Sequence, residues 1–470
     1  MPQSHADGSA VARHVVELAL FGAIFFGASQ IALAADHKIS TQAAKFDCSS
    51  VRAGETVTLQ SGNRGPLAIG NCNGTSSNPI IIRNDPDGNG PTVLRRTSGP
   101  SGGFILNCNN CVGVEIDGSY KWNGAPSGKS YGIKLTITGG AAPSAFLRMG
   151  GLSRFVTIRN VEIDGGWPQV PGIGSGIRIN DEAIKRSKYP SIWREGILIE
   201  DNYIHDISLE GMYVGPNYKV GGLPLRNIEI RYNRVEDTGF EGINTKSMWA
   251  GNNSIHHNEV RRAGKNATSP KDSSQYSGIT SLSGTVKIYN NWIETTGQHG
   301  ISVWTQDGPK TSEGRGPFAA QIWNNVIVDA GGLWRPFMAK SFGIRVGAQD
   351  GCEEPMPNVY SNTIVDSRQS AISLNGNVGA GLLRDNIIAG AGSNPVIIAP
   401  GFVKLINNHV GSISQLAFVD AGRGNFRLKV NSPARNEGSS DFPPTDFDDV
   451  KRPKDGAPDQ GAYEGSTGGG

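Results

Sequence analysis

Charge is scarce in this chain. Asp, Glu, Lys and Arg together make up 18% of 470 residues and nearly cancel, leaving a net +2. No basic stripe or lysine-rich arm occurs, which argues against nucleic acid as a partner. Apolar residues at helical spacing are missing over most of the length, so a helical domain is not expected. The 64 glycines follow no Gly-X-Y period, which removes collagen. Long hydrophobic runs are lacking as well. The single apolar stretch, Leu18 to Ala28, is short for a membrane span.

That stretch has the layout of an export signal. Arg13 and His14 precede it, and Ala32-Leu33-Ala34 offers a small-x-small cleavage site. Cleavage after Ala34 makes 1–34 a signal peptide, leaves no membrane span, and places the mature chain in the periplasm or outside the cell. Only five cysteines are present. The expected pairs in an oxidising compartment are Cys48–Cys72 and a tight Cys108–Cys111 loop, with Cys352 left over. The Cys-x-x-Cys spacing lacks the second pair or the strand-helix context that metal or redox chemistry would need.

What the chain has is a repeat. The phrase "strand, Asn, one residue, Ile or Val" occurs eight times, at Asn202, Asn233, Asn258, Asn291, Asn325, Asn362, Asn386 and Asn408. A short step with variable insertions marks a solenoid whose coils carry loops of different length. Stacked asparagines hydrogen-bond along their column and satisfy amides that burial would otherwise leave unpaired. Each repeat reads as two short strands: one before the Asn, as in Ile228-Glu229-Ile230, and one after a Gly, as in Gly242-Ile243-Asn244. The glycines are expected where the chain turns with positive φ. The fold class is therefore all-β, a right-handed parallel β-helix (a single-stranded solenoid) with N- and C-terminal caps. A β-propeller would need hairpin signals that are sparse here. Residues 35–150 read as an N-terminal capping region with the first coils, 151–412 as regular coils, and 413–470 as a C-terminal cap.

Aligning the second strands by their Gly gives three columns. Before the Gly (Ala371 in the last strand) come Ser175, Glu210, Glu241, Ser277, His299, Phe342 and Ser370. Two positions after it, pointing outward, come Arg178, Tyr213, Asn244, Thr280, Ser302, Arg345 and Ser373. Two further on come Asn180, Gly215, Lys246, Leu282, Trp304, Gly347 and Asn375. With coils about 4.8 Å apart, Glu210 and Glu241 are neighbours with Lys246 nearby. Stacked carboxylates repel, and Lys246 or a bound Ca²⁺ would offset that. Arg178, His299, Trp304 and Arg345 on the same face complete a polar, partly cationic groove suited to an extended polymer.

These repeats resemble the secreted bacterial right-handed β-helix proteins of the pectate-lyase-like superfamily, over roughly residues 50 to 470. The opening from Ala53, AGETVTLQSGNRGPLAIG, is similar to the start of the alginate lyase and chondroitinase B family. The tail segments FRLKVNSPAR and KRPKDGAPDQGAYEG resemble the C-terminal part of many such proteins. The strand Glu241-Gly242-Ile243-Asn244-Thr245-Lys246-Ser247 looks like that lyase family's, which implies Lys246 as the Brønsted base and Glu241 as a Ca²⁺ ligand. Glu210 joins as a further ligand by geometry, and Asn244 and Trp304 as substrate contacts. The family's second Glu is replaced by Gly239, and its general-acid Arg is missing from the coil that reads Ser277-Gly278-Ile279-Thr280. The acid must then come from Tyr213, His299, Arg178 or Arg345.

The implied reaction is β-elimination on an acidic, uronic acid-containing polysaccharide such as alginate or pectate, carried out by a monomer. Two other readings stay open. A glycoside hydrolase needs facing carboxylates, but the one adjacent Asp pair, Asp448-Asp449, lies in the tail. An epimerase would be expected to show an Asp-Pro-His phrase, and none occurs. A non-catalytic glycan-binding β-helix is the third reading.

Overall fold

A computed structural model describes residues 36–465, apart from 100–101, 171, 173, 182, 217–220, 266–274, 307–317, 339, 375–376, 393 and 399–402. The export-signal segment and Asn375 lie outside the described residues. The described strands stack into three parallel sheets of 14, 12 and 12 strands. A chain that visits three sheets in turn and climbs one strand per circuit is a parallel β-helix, with the right hand that parallel crossovers adopt. No α-helix occurs among the described residues, and none of their helices is long and apolar enough to cross a membrane.

The first sheet holds the strands before each ladder asparagine, such as Leu225–Arg231, and the third holds those after the glycine, such as Ile243–Lys246. The second sheet corrects the two-strand reading. The short segments that follow each asparagine, such as Arg234–Thr238 and Thr363–Val365, are strands of their own. Many are only three residues long, too few for alternation to stand out from a turn. Inward positions stack like upon like. One column runs Ile199, Ile230, Ile255, Ile288, Ile322, and another Ile204, Val235, Val260, Ile293, Ile327. These side chains are fully buried and form one continuous core.

The asparagine ladder is complete. Each Nδ2 donates to the Oδ1 of the next ladder residue at 2.8–3.0 Å, from Asn202 through to Asn408. The residue before each one takes a left-handed conformation, with φ between 51° and 57° at Asp201, Tyr232, His257, Asn290, Asn324, Ser361, Asp385 and Asn407. Positive φ therefore falls at these positions, not at the glycines that open the third-sheet strands, as the sequence had suggested. Those glycines are needed for room. A Cβ on Gly278 would lie 2.5 Å from Ile293 Cγ2 and 2.8 Å from the Gly300 carbonyl oxygen. Gly278→Ala is expected to cost about 1–3 kcal/mol by overpacking, read as a lower urea midpoint at unchanged slope.

Both expected disulfides are present, Cys48–Cys72 and Cys108–Cys111, and Cys352 belongs to neither. After the last coil the chain forms a small hairpin of Phe418–Asp420 with Asn425–Leu428 and then runs back along the flank of the coils. Asn290 and Asn324 donate side-chain amides to the carbonyls of Asp446 and Thr445, at 3.1 and 2.7 Å. Ala462 N–H donates to Thr363 Oγ1 at 2.9 Å, and Ser439 N–H to Asp385 Oδ1 at 3.0 Å. Phe418, Phe426, Leu428 and Tyr463 pack with Val326, Val365 and Ile387 in a second apolar cluster. At the open end of the helix the inward Leu405 and Val410 of the last coil remain exposed.

Candidate functional site

The third sheet aligns the expected residues in register. Arg178 pairs with Tyr213, Tyr213 with Asn244, Asn244 with Thr280, Thr280 with Ser302, and Ser302 with Arg345. The glycine at each corner turns inward against the second-sheet core, so the residue before it stays outside with the Tyr213 column. Glu210 and Glu241 thus meet on adjacent coils, linked through Gly211 N–H donating to the Glu241 carbonyl at 3.0 Å. Both are buried, 6% and 1% exposed, and not the solvent-facing turn residues that a charged pair usually is.

Ser175 Oγ donates to Glu210 Oε2 at 2.8 Å. Glu241 Oε2 and Asn244 Oδ1 have no hydrogen-bond partner although both are buried. Burial, and then the charge of Glu210, push the Glu241 carboxyl up to about 8, with Lys246 and Asn244 pulling the other way. Between the ordinary 4.5 and about 8, the folded protein holds a proton that the unfolded chain gives up. Stability therefore falls as pH rises through that window. Glu241→Gln should remove the slope, gaining about 1–4 kcal/mol at pH 8 relative to pH 5 in paired thermal melts.

Lys246 is partly exposed, and its ammonium donates to Tyr213 Oη at 3.1 Å. It makes no ion pair within 4.0 Å of either glutamate and acts on Glu241 only through its field. Tyr213 stands between two cations. Lys246 Nζ is 4.3 Å from the ring centroid on one side in the stack, and Arg178 Cζ from the preceding coil is 5.1 Å away. Arg178 Nε in turn donates to Asn180 Oδ1 at 2.9 Å. The structure thus brings Arg178, Tyr213, Asn244, Lys246, Glu210 and Glu241 together over three coils.

His299, Trp304 and Arg345 form a separate group further along. Arg345 Cζ lies 3.6 Å from the Trp304 ring centroid, and the indole lies flat because Gly347 sits beneath it. A Cβ on Gly347 would be 2.6 Å from Trp304 Cζ3. His299 is buried and accepts the Phe342 N–H on Nδ1 at 3.1 Å. Two supporting contacts escaped the sequence reading, Ser175 to Glu210 and Gly347 beneath Trp304. Their only signal was a place in the aligned columns.

Oxygen donors alone make up the Glu210, Glu241 and Asn244 set, and two of those oxygens are buried without partners. That chemistry fits a hard cation such as Ca²⁺.

No curated protein matches the chain. Solved structures similar to it include pectate lyase Pel9A, at 11% identity over 91% of this chain and 96% of that one, TM-score 0.47. An alginate lyase from Paenibacillus sp. str. FPU-7 has 16% identity over 80% and 99%, TM-score 0.39. The PL6 family alginate lyase AlyGC has 12% identity over 80% and 51%, TM-score 0.45. Likeness at this level leaves the chemistry to be argued from the residues. Residues 146–315, which include Arg178, both glutamates, Tyr213, Lys246, His299 and Trp304, match the family model of the right-handed β-helix region.

Proposed function

We propose that the protein binds an acidic, uronic acid-containing polysaccharide along its third sheet and cleaves it by β-elimination. The observation that carries this reading is the 3.1 Å contact of Lys246 Nζ with Tyr213 Oη, with Arg178 against the same ring. Once it has released its ammonium proton to solvent, Lys246 takes the proton from the carbon next to the uronate carboxylate. The bond to the glycosidic oxygen then breaks, and Tyr213 gives its hydroxyl proton to that oxygen. The Lys246 ammonium returns a proton to Tyr213 across the same contact, so the protein ends as it began. Positive charge from Arg178 favours both the carboxylate and the transient phenolate.

A cation would be held by Glu210, Glu241 and Asn244, and would supply positive charge that acidifies the uronate carbon. Added Ca²⁺ at pH 8 should raise the melting temperature of the native chain but not that of Glu241→Gln. The two disulfides suit the secreted or periplasmic setting where such polymers are met.

The test is to incubate the purified chain with alginate, pectate and glycosaminoglycans, with Ca²⁺ or a chelator. Elimination shows as ultraviolet absorbance of unsaturated uronates. One observation favours a second reading. Glu241, with its raised carboxyl pKa, lies one coil from Glu210, as the acid and nucleophile of a retaining hydrolase would. New reducing ends without absorbance would select it. Neither signal would leave a glycan-binding role.

A further inference from the structure

We propose that Arg345, His299 and Trp304 form a subsite for the carboxylate of an acidic sugar, on the same sheet as Lys246 but two to three coils beyond it, roughly 10–14 Å away. The inference rests on the reading that an acidic polymer lies along this sheet.

Several arginines elsewhere on the molecule meet carboxylates, Arg148 with Asp181 at 2.9 Å, Arg231 with Glu200 at 2.8 Å and Arg262 with Asp237 at 2.8 Å, and others, such as Arg64 and Arg194, donate to backbone carbonyls. Arg345 meets none among the described residues. Its side chain is spread over Trp304, and burial pushes the guanidinium down to about 10. A cation that has lost much of its water without gaining a counter-charge is stabilised when an anion arrives.

His299 supplies a second unmet donor beside it. Because Nδ1 accepts the Phe342 N–H, the ring proton sits on Nε2, which is buried and has no partner. Burial, and then the nearby Arg345 charge, hold this imidazole well below its ordinary value, so it stays neutral. A neutral N–H donor that cannot take up a proton suits an anion's oxygen better than it suits acid catalysis. Ser302, the register partner of Arg345, lies on the same coil as His299 and adds a hydroxyl-bearing residue to the group. The Trp304 edge left by Arg345 offers a sugar ring an apolar surface.

The surroundings continue the pattern. A pocket of about 320 Å³ borders Phe342, at the start of the Arg345 strand, and is lined by Lys340, Arg368, Gln369, Ser370 and Asn394 with no carboxylate among its lining residues. Neither Lys340 nor Arg368 has an ion pair among the described residues. A chain of acidic sugars longer than a single unit therefore meets positive charge again past Arg345.

The test is calorimetric titration of the full chain with uronate oligosaccharides, with the same oligomers carboxyl-reduced to neutral sugars, and with sulfated neutral oligosaccharides. Lys246→Ala is used as background to prevent turnover. Adding Arg345→Gln is expected to weaken uronate binding about 10- to 100-fold, to the level of the reduced oligomers. Arg345→Lys, which keeps the charge but loses the flat stack, should lose about 3- to 10-fold and carries the test if the Gln variant does not fold. Uronate binding unchanged by both Arg345 variants, equal binding of reduced oligomers, or tighter binding of the sulfated ones overturns the subsite. Arg345-dependent uronate binding, with no unsaturated product from the chain that keeps Lys246, sustains the subsite and removes the lyase reading. Normal elimination with Arg345-independent binding does the reverse.

Discussion

Replacing Lys246 with alanine is expected to slow elimination by about 10²- to 10⁴-fold, with KM changing little. Among the described residues the amine is the only candidate base that touches Tyr213, and its loss breaks the route by which the tyrosine regains its proton. Lys246→Arg separates two roles. An arginine keeps positive charge beside the Tyr213 ring but cannot be deprotonated, so it should keep native substrate affinity and still lack turnover. Tyr213→Phe keeps the ring between its two cations and removes only the hydroxyl, with an expected loss of about 10- to 100-fold in kcat. Initial rates of ultraviolet absorbance on the best polymer measure all three. A Lys246→Ala variant with more than a tenth of native turnover would sink the base assignment.

The second large effect is structural. Asn291→Leu should destabilise the protein by about 4–6 kcal/mol, a large part of the usual 5–15 kcal/mol margin. Asn291 Nδ2 donates to the carbonyls of Ile255 and Tyr289 and to Asn325 Oδ1, at 2.9, 3.0 and 2.9 Å. Its Oδ1 accepts from both the backbone N–H and the side-chain Nδ2 of Asn258, each at 3.0 Å. A leucine has nearly the same volume but strands donors and acceptors on two neighbouring coils, away from water. Asn408, at the end of the row, receives from Asn386 and passes nothing on along the row, so Asn408→Leu should cost about half as much. Urea midpoints of the two variants give the comparison.

The ladder and the third-sheet register were legible because both rest on positions that accept few residue types. An asparagine must be where its neighbour's amide points, and a glycine must be where Val260 or Ile293 would otherwise collide with a side chain. Those two markers fix the outward columns without further information, and so place Tyr213 beside Arg178 and Glu241 beside Glu210. The second sheet was hidden because strands such as Val326–Val328 and Thr363–Val365 are too short to carry a period. Side-chain direction was also hidden. Register puts Lys246 near both glutamates, but whether a long flexible amine turns to a carboxylate or to a phenol depends on contacts that spacing does not encode. Burial of the glutamates could not be read either, since a charged residue at a turn ordinarily faces solvent. The flank-hugging course of the tail is set by single hydrogen bonds to Asn290, Asn324, Thr363 and Asp385, far away in sequence.

That tail changes how the molecule should come apart. A bare solenoid can fray from its end one circuit at a time, because each circuit touches only its neighbours. Here residues 439–462 are stitched to circuits as far back as His257, whose Nε2 lies 3.4 Å from Asp449 Oδ1, so the last strands cannot leave while the stitching holds. Detachment of the strap and loss of several circuits become one event, and the exposed Leu405 and Val410 rim is kept from acting as a point of unravelling.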